Sequence, residues 1–333
     1  MNNSKRIYRA AIYVRLSKED GDLDDVRKAE SNSISNQKSL ILNYLKDKED
    51  IEIVSIREDD GYSGATFDRP AFKLMLQDDK DGIDIYVKPG TKNESVHIPV
   101  VISKTGLEEC VYNDFHIGEG ADVLIVAGCG IHNSGDKLSQ HDGIHTFYIG
   151  KNAKVKYVEK HYGKGDGNGE NVMNPTTIVN IEEGGYMEME TVQIKGIDST
   201  NRVTKAKLDK DAKIVITERL LTHGNQVATT RFDVDMDGEG SSANVVSRSV
   251  AKNNSKQTFY SVINGNNKCN GHSECDAIIM DNAKISAIPE ITANHLEASL
   301  IHEAAIGKIA GEQLIKLQTL GLTEEEAEEQ IVN

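Results

Sequence analysis

The chain has 333 residues and a formal net charge of −15, which argues against a general affinity for nucleic acid or for an anionic membrane. No apolar run approaches the roughly 18 residues needed to span a bilayer. Four cysteines without a signal peptide are typical of a reducing compartment, so we expect a cytoplasmic protein.

The first eighty or so residues predict an incomplete α/β unit. Residues 10–17 indicate a buried strand, residues 33–45 an amphipathic helix, and residues 51–56 a second strand. A turn at 59–64 and a helix beginning near Arg69-Pro70 complete a βαβα start.

Three strings in this segment have a specific pattern: Tyr-Val-Arg-Leu-Ser at 13–17, Ser-Ile-Ser-Asn-Gln at 33–37, and Asp-Gly-Tyr-Ser-Gly at 60–64. They resemble the N-terminal domain of the serine recombinases, the resolvase family. The resemblance covers residues 1–78, and we expect the domain boundary after residue 81.

The resemblance implies roles for four residues. Ser17 matches the nucleophile that attacks a DNA phosphate, and Asp60 a supporting acid. Arg15 and Arg69 match arginines that stabilise the phosphate charge. The further catalytic arginines, the dimerisation helix and the DNA-binding domains of that family do not follow. We therefore interpret the segment as a vestigial fragment, and recombination through Ser17 is the alternative function.

From Gly82 onward, short apolar segments alternate with turn residues, and a weak repeat is present. Its unit is an apolar residue, two polar ones, a turn residue that tolerates positive φ, a small residue and a strand. The four copies begin at Ile117, Ile149, Ile181 and Leu208. Repeats of this period predict a solenoid, and we expect a mainly β protein with a parallel β-helix over 82–300. The alternative is a β-sandwich with unrelated turns.

Two features of the body indicate no chemistry by themselves. The glycine-rich segment 163–169 lacks the ending of a phosphate loop, and we expect a flexible surface loop there. Cys110 and Cys129 lie in apolar contexts and should pack as small hydrophobic residues.

The C-terminal residues return to helical periodicity. Apolar residues recur at helical spacing over 304–320, and Thr323 with Glu326 forms a capping-box pattern for a short helix. We expect a helical segment over 301–333, which either caps the solenoid end or docks a partner.

The strongest candidate for chemistry is a group of sulfur and nitrogen donors near the end of the solenoid. Cys269, His272 and Cys275 follow one another at three-residue intervals, and His302 and Glu303 come 27 to 34 residues later. Thiolate and imidazole suit zinc, copper(I) or iron–sulfur clusters, and the spacing is not that of a zinc finger. The alternative is a pair of small buried cysteines beside a surface histidine.

Several further strings carry a resemblance over residues 82–333. They are Tyr-Asn-Asp at 112–114, Ser-Arg-Ser-Val at 247–250, Gly-His-Ser-Glu-Cys-Asp at 271–276, His-Glu-Ala at 302–304, Gly-Glu-Gln at 311–313 and Leu-Gly-Leu-Thr-Glu-Glu-Glu-Ala at 320–327. Together they resemble the SufB/SufD family of iron–sulfur cluster assembly scaffolds. The resemblance implies a right-handed parallel β-helix with a C-terminal helical domain.

The resemblance also implies a function as a scaffold rather than an enzyme. Two such subunits pair through their β-helices, and each docks SufC, an ATPase of the ABC type, so this chain itself binds no nucleotide. ATP-driven movement opens the interface, where an iron–sulfur cluster forms transiently. Sulfur comes from a cysteine desulfurase system.

Three residues match the family's interface ligands. Cys275 matches the SufB-type cysteine, His302 the SufD-side histidine and Glu303 the SufB-type acid. Because one chain holds both kinds of ligand, a homodimer could supply a complete site.

The sequence lacks a cysteine between Cys129 and Cys269, where the SufB type takes sulfur first. Cys269 and His272 are therefore secondary candidates. A structural β-helix that binds SufC without a cluster is the remaining alternative.

Overall fold

A computed structural model describes residues 8–16, 32–46, 48, 51–60, 82–309, 311–323, 326–327 and 330. The chain divides into two compact units, Met1–Asp81 and Gly82–Asn333. Within the described residues, no helix combines the length and the apolar character needed to cross a membrane.

The first unit contains two parallel strands and one helix. Strand β1 (Tyr8–Leu16) pairs in parallel with β2 (Ile51–Asp60), and helix α1 (Asn32–Leu45) lies between them in the chain. The side chains of Ile12 and Ile34 are buried in a small shared core, because the strand and the helix each present an apolar face. This confirms the predicted incomplete α/β fragment.

The second unit contains two parallel sheets, and consecutive strands alternate between them, apart from one pair of consecutive strands that both belong to the first sheet. The first sheet contains β3 (Gly82–Val87), β5 (Glu108–Ile117), β7 (Ser139–Ile149), β9 (Asn171–Met173), β10 (Thr176–Ile181), β12 (Ser199–Leu208), β14 (Val227–Met236), β16 (Lys256–Gly265) and β18 (Lys284–Ala293). The second contains β4 (Lys92–Ile102), β6 (Asp122–His132), β8 (Lys154–Lys164), β11 (Tyr186–Lys195), β13 (Lys213–Thr222), β15 (Ser242–Ala251), β17 (Asn270–Ile279) and β19 (Ser299–Gly307). This is a parallel β-helix of about eight turns, as predicted.

The core of the β-helix lies between the two sheets. Side chains alternate between the inner and outer faces of each strand, because the side-chain period of a strand is two. Equivalent inner residues stack from coil to coil, and the rings of Phe115 and Phe147 lie parallel with centroids 4.4 Å apart. Tyr157 of the opposite sheet packs against Phe147 at 4.8 Å. The aliphatic and aromatic stacks thus hold the two sheets together.

The predicted repeat corresponds to the turns that connect the first sheet to the second. The turn residue of each copy has a positive φ: 65° at Gly120, 55° at Asn152, 70° at Gly184 and 55° at Asp211. Glycine, asparagine and aspartate tolerate this conformation best, which explains their recurrence.

The glycine-rich segment 163–169 is a largely exposed loop, as expected, and its backbone also packs closely against neighbouring coils. Its backbone follows the loop of the preceding coil, and the Gly169 N–H donates to the Gly135 carbonyl at 2.9 Å. A Cβ on Gly163 would stand 1.7 Å from the Gly196 carbonyl oxygen. The glycines are therefore required by close backbone approach.

The C-terminal helix begins later than predicted. Residues 304–307 belong to β19, where they continue the parallel pairing with β17, and helix α2 spans Gly311–Thr319. The prediction of a helix from 304 was therefore wrong at its start, because apolar residues on an edge strand imitated helical spacing. The predicted capping box is present, since the Thr323 N–H donates to Glu326 Oε2 at 2.8 Å.

Candidate functional site

The predicted ligands lie on the last two strands of the second sheet. Strand β17 buries Ser273 and Cys275 on its inner face, while His272 and Glu274 lie on its outer face. The Cys275 side chain is only 1% exposed.

Strand β19 extends the same alternation. His302 pairs with Ser273 and Glu303 pairs with Glu274, so His302 lies on the inner face and Glu303 on the outer one. Cys275 pairs with Ala304, one step further along the same inner face. The last coil therefore brings the sulfur and the imidazole to one face of the sheet and the acid to the other.

His302 is a half-buried imidazole with an unsatisfied atom. Its Nδ1 is buried and has no hydrogen-bond partner among the described residues. Burial lowers the pKa of His302, and the neighbouring His272 adds to this effect. A neutral imidazole with an unpartnered nitrogen can accept a metal ion.

Cys275 is a thiol rather than a thiolate in this conformation. Burial, with the charges of Glu218 and Asp276, raises its pKa to about 11. Metal binding or movement of the coil is required to deprotonate it at neutral pH.

The secondary candidates differ in their surroundings. Cys269 is buried in the main apolar core, and burial raises its pKa. His272 is half-exposed on the outer face, with its Nε2 3.6 Å from Glu303 Oε2. One ligand atom each from His272, Glu274 and Glu303 lie within 4.8 Å of one another.

A row of polar residues inside the solenoid leads to Cys275. Glu159, Thr191, Glu218, Ser247 and Cys275 occupy successive positions of the inner ladder. The Ser247 hydroxyl donates to the Glu218 carboxylate at 2.7 Å. This row was not predicted from the sequence, although polar residues at inward positions of successive strands of one sheet are its signal.

One buried arginine lies between the two buried carboxylates. Arg202 forms an ion pair with Glu159, and its Nε lies 3.9 Å from Glu218 Oε1. Burial alone would raise the pKa of Glu159, but Arg202, followed by His161, outweighs it and holds the pKa well below its usual range.

A hydrogen-bonded chain continues from Glu159 away from Cys275. The Tyr157 hydroxyl donates to Glu159 at 3.0 Å and lies 2.6 Å from His145 Nδ1, while Asn113 Nδ2 lies 3.1 Å from His145 Nε2. Burial lowers the pKa of His145 to about 4, so this histidine is neutral. Each of these buried polar side chains has a hydrogen-bond partner, as expected of structural residues in a core.

The recombinase-like positions are only partly described. Arg15 lies in β1, where the backbone register places it opposite Asp59 of β2. Asp60 is the last residue of β2. Ser17 and Arg69 lie outside the described residues.

The chain is a parallel β-helix whose last coil carries thiol, imidazole and carboxylate side chains. Residues 108–333 match the family model "SUF system FeS cluster assembly, SufBD core domain", and residues 10–88 match "Resolvase, N terminal domain". The chain therefore belongs to the SufBD family of iron–sulfur cluster assembly components and carries a resolvase-like segment at its N-terminal side.

Curated relatives agree with this assignment. An iron–sulfur cluster assembly SufBD family protein of Archaeoglobus fulgidus is 30% identical over 270 residues, which cover 80% of this chain and 71% of the relative. One from Methanocaldococcus jannaschii is 31% identical over 259 residues, which cover 77% of this chain and 81% of the relative.

Proposed function

We propose that this chain is a scaffold on which a nascent iron–sulfur cluster forms at the last coil of the β-helix, with Cys275 and His302, which share the inner face, as its ligands. The observation that carries the proposal is the buried, unpartnered Nδ1 of His302 on the inner face that also holds Cys275. A soft thiolate beside an imidazole suits iron and sulfide.

The same end of the solenoid suits a subunit interface. Strands β18 and β19 are the last of their sheets, so their outer edges have unpaired backbone groups within the described fold. Apolar side chains are exposed there, including Ile288 at 44%, Leu296 at 103% and Ile301 at 52%. A second copy of this chain would cover them and would add its own thiol and imidazole.

Opening of this interface fits the state of Cys275. A buried thiol with a raised pKa needs access and a cation before it can bind iron. We infer that an ABC-type ATPase of the SufC kind docks on the C-terminal helical segment and supplies this movement, since α2 exposes 59% of Ile315. A cysteine desulfurase system would supply the sulfur.

Cluster formation and transfer test the proposal. The full chain is mixed anaerobically with ferrous iron and sulfide, desalted and then added to an apo-ferredoxin. We expect visible absorbance from a bound cluster, followed by its transfer to the acceptor. A chain that retains no iron and sulfide after desalting would contradict the scaffold role.

ATPase stimulation distinguishes the cluster-free alternative. If the chain only binds the ATPase, a double variant with Cys275→Ala and His302→Ala still stimulates ATP hydrolysis. Its content of iron and sulfide then equals that of the wild type. If the proposal holds, the variant loses its cluster. A covalent adduct between Ser17 and DNA would instead favour the recombinase alternative.

A further inference from the structure

A second group of donors lies on the outer face of the same strands. We propose that His272, Glu274 and Glu303 bind one divalent transition-metal ion of the Fe²⁺ or Mn²⁺ class, separately from Cys275. Their ligand atoms lie within 4.8 Å of one another, and His272 Nε2 is 3.6 Å from Glu303 Oε2. Donors that share one ion at roughly 2.1 Å lie about 3 to 4 Å apart. Small side-chain rotations therefore suffice to bring the three ligand atoms to one ion.

The backbone register fixes this group. Glu274 and Glu303 are direct partners in the parallel ladder of β17 and β19, and His272 lies two residues before Glu274 on the same face. The three side chains therefore come from two adjacent, paired strands rather than from loops. Donors on rigid strands need little ordering when an ion binds.

His272 is oriented by a residue outside the group. Its Nδ1 lies 2.8 Å from Asn244 Oδ1 on the neighbouring strand β15. Because a carbonyl oxygen only accepts, Nδ1 carries a proton, and in the neutral ring the lone pair of Nε2 is directed toward Glu303. Histidines that bind metals are commonly held in this way, with the second ring nitrogen donating to an oxygen.

The donor set selects the class of ion. One imidazole and two carboxylates are harder ligands than thiolates. This ligand set disfavours copper(I) and differs from the cysteine-containing set of a zinc finger. Asp276 on the same face adds a further carboxylate, which lies 4.0 Å from Arg248 Nε. Ferrous and manganous ions accept such mixed sites with water at the open positions.

This site could supply iron to the cluster. Glu274 directly precedes Cys275, so the ion would lie on the opposite side of the strand that carries the thiol. The supply role rests on the proposed scaffold function, but the binding of the ion does not.

A manganese titration of the full chain tests the site. Mn²⁺ replaces air-sensitive Fe²⁺, and loss of the free-ion electron paramagnetic resonance signal reports binding. We expect one saturable site per wild-type chain and at least 10-fold weaker binding in Glu274→Gln. Glu190→Gln is the matched control, because Glu190 lies on the outer face of the same sheet, beside Arg219. This control and Cys275→Ala should bind like the wild type.

The outcomes separate the two proposals. Absence of saturable binding, or equal binding by Glu274→Gln and wild type, would overturn the metal site. Weaker Mn²⁺ binding in Cys275→Ala would overturn its separateness from the thiol. If the titration succeeds while reconstitution with iron and sulfide fails, the metal site stands and the scaffold function fails.

Discussion

Ser247 lies beside Cys275 in the parallel ladder of β15 and β17, and its hydroxyl donates to Glu218 at 2.7 Å. The thiol thus ends a row of buried polar groups rather than an apolar stack. This arrangement places a negative charge behind Cys275 and helps to keep it protonated until the coil opens.

Neutralising Glu218 should acidify the thiol. Burial contributes most to the raised pKa of Cys275, about 11, and the charge of Glu218 comes next. We expect Glu218→Gln to lower the pKa of Cys275, as measured by ¹³C nuclear magnetic resonance of its labelled Cβ against pH. Glu190→Gln should leave that pKa unchanged, and an unchanged value in Glu218→Gln would refute the coupling.

Removing Arg202 should strongly destabilise the β-helix. Arg202 is buried between Glu159 and Glu218, and its loss leaves two buried carboxylates without their cation. We expect Arg202→Met to lower the free energy of unfolding by about 3–5 kcal/mol in a denaturant titration.

Arg219 provides the control for this substitution. It is 62% exposed and pairs with Glu190 at 3.4 Å on the outer face. Arg219→Met should cost less than about 1 kcal/mol, because surface ion pairs contribute little. Equal effects of the two substitutions would contradict the role of the buried pair.

His145 should make stability depend on pH. Its pKa is lowered from 6.5 to about 4 in the folded chain, mainly by burial. Between these values the unfolded chain binds the proton and the folded chain does not, so stability falls as pH decreases through this range, by about 3 kcal/mol at most. Denaturant titrations at pH 7, 5.5 and 4 should show a shallower fall in His145→Gln. The exposed His132→Gln variant should follow the wild type.

Backbone packing around the glycine-rich segment predicts that alanine substitutions at two glycines have very different effects on stability. A Cβ on Gly163 would meet the Gly196 carbonyl oxygen at 1.7 Å, whereas one on Gly128 would meet nothing within 4 Å. We expect Gly163→Ala to destabilise the chain by about 1–3 kcal/mol or more, and Gly128→Ala to be nearly neutral. A comparison of melting temperatures checks both, and equal temperatures would contradict this packing.

The repeat predicted the fold because its signal is local. A positive φ at Gly120, Asn152 and their equivalents selects the residue type directly. A second row of turns at Gly224, Asn253 and Asp281 also has positive φ and was not predicted from the sequence.

The arrangement of the site could be predicted only in part. The identity of the donors follows from their chemistry, but the face of each depends on strand register. Helical spacing from residue 304 concealed strand β19, so the positions of His302 and Glu303 on opposite faces of that strand could not be predicted. Glu218 and Arg202 were missed because charged side chains are normally exposed, and only the fold shows that they point inward.

If Cys275 is the thiol on which the cluster is built, two matched cysteine variants should differ in cluster content. Cys275 and Cys129 are both buried, at 1% and 2% exposure. Each is replaced by serine, and iron and sulfide are counted per chain after anaerobic reconstitution. We expect Cys129→Ser to retain the wild-type cluster and Cys275→Ser to lose most of it. Equal cluster content in Cys275→Ser and the wild type would show that the cluster is not built on Cys275.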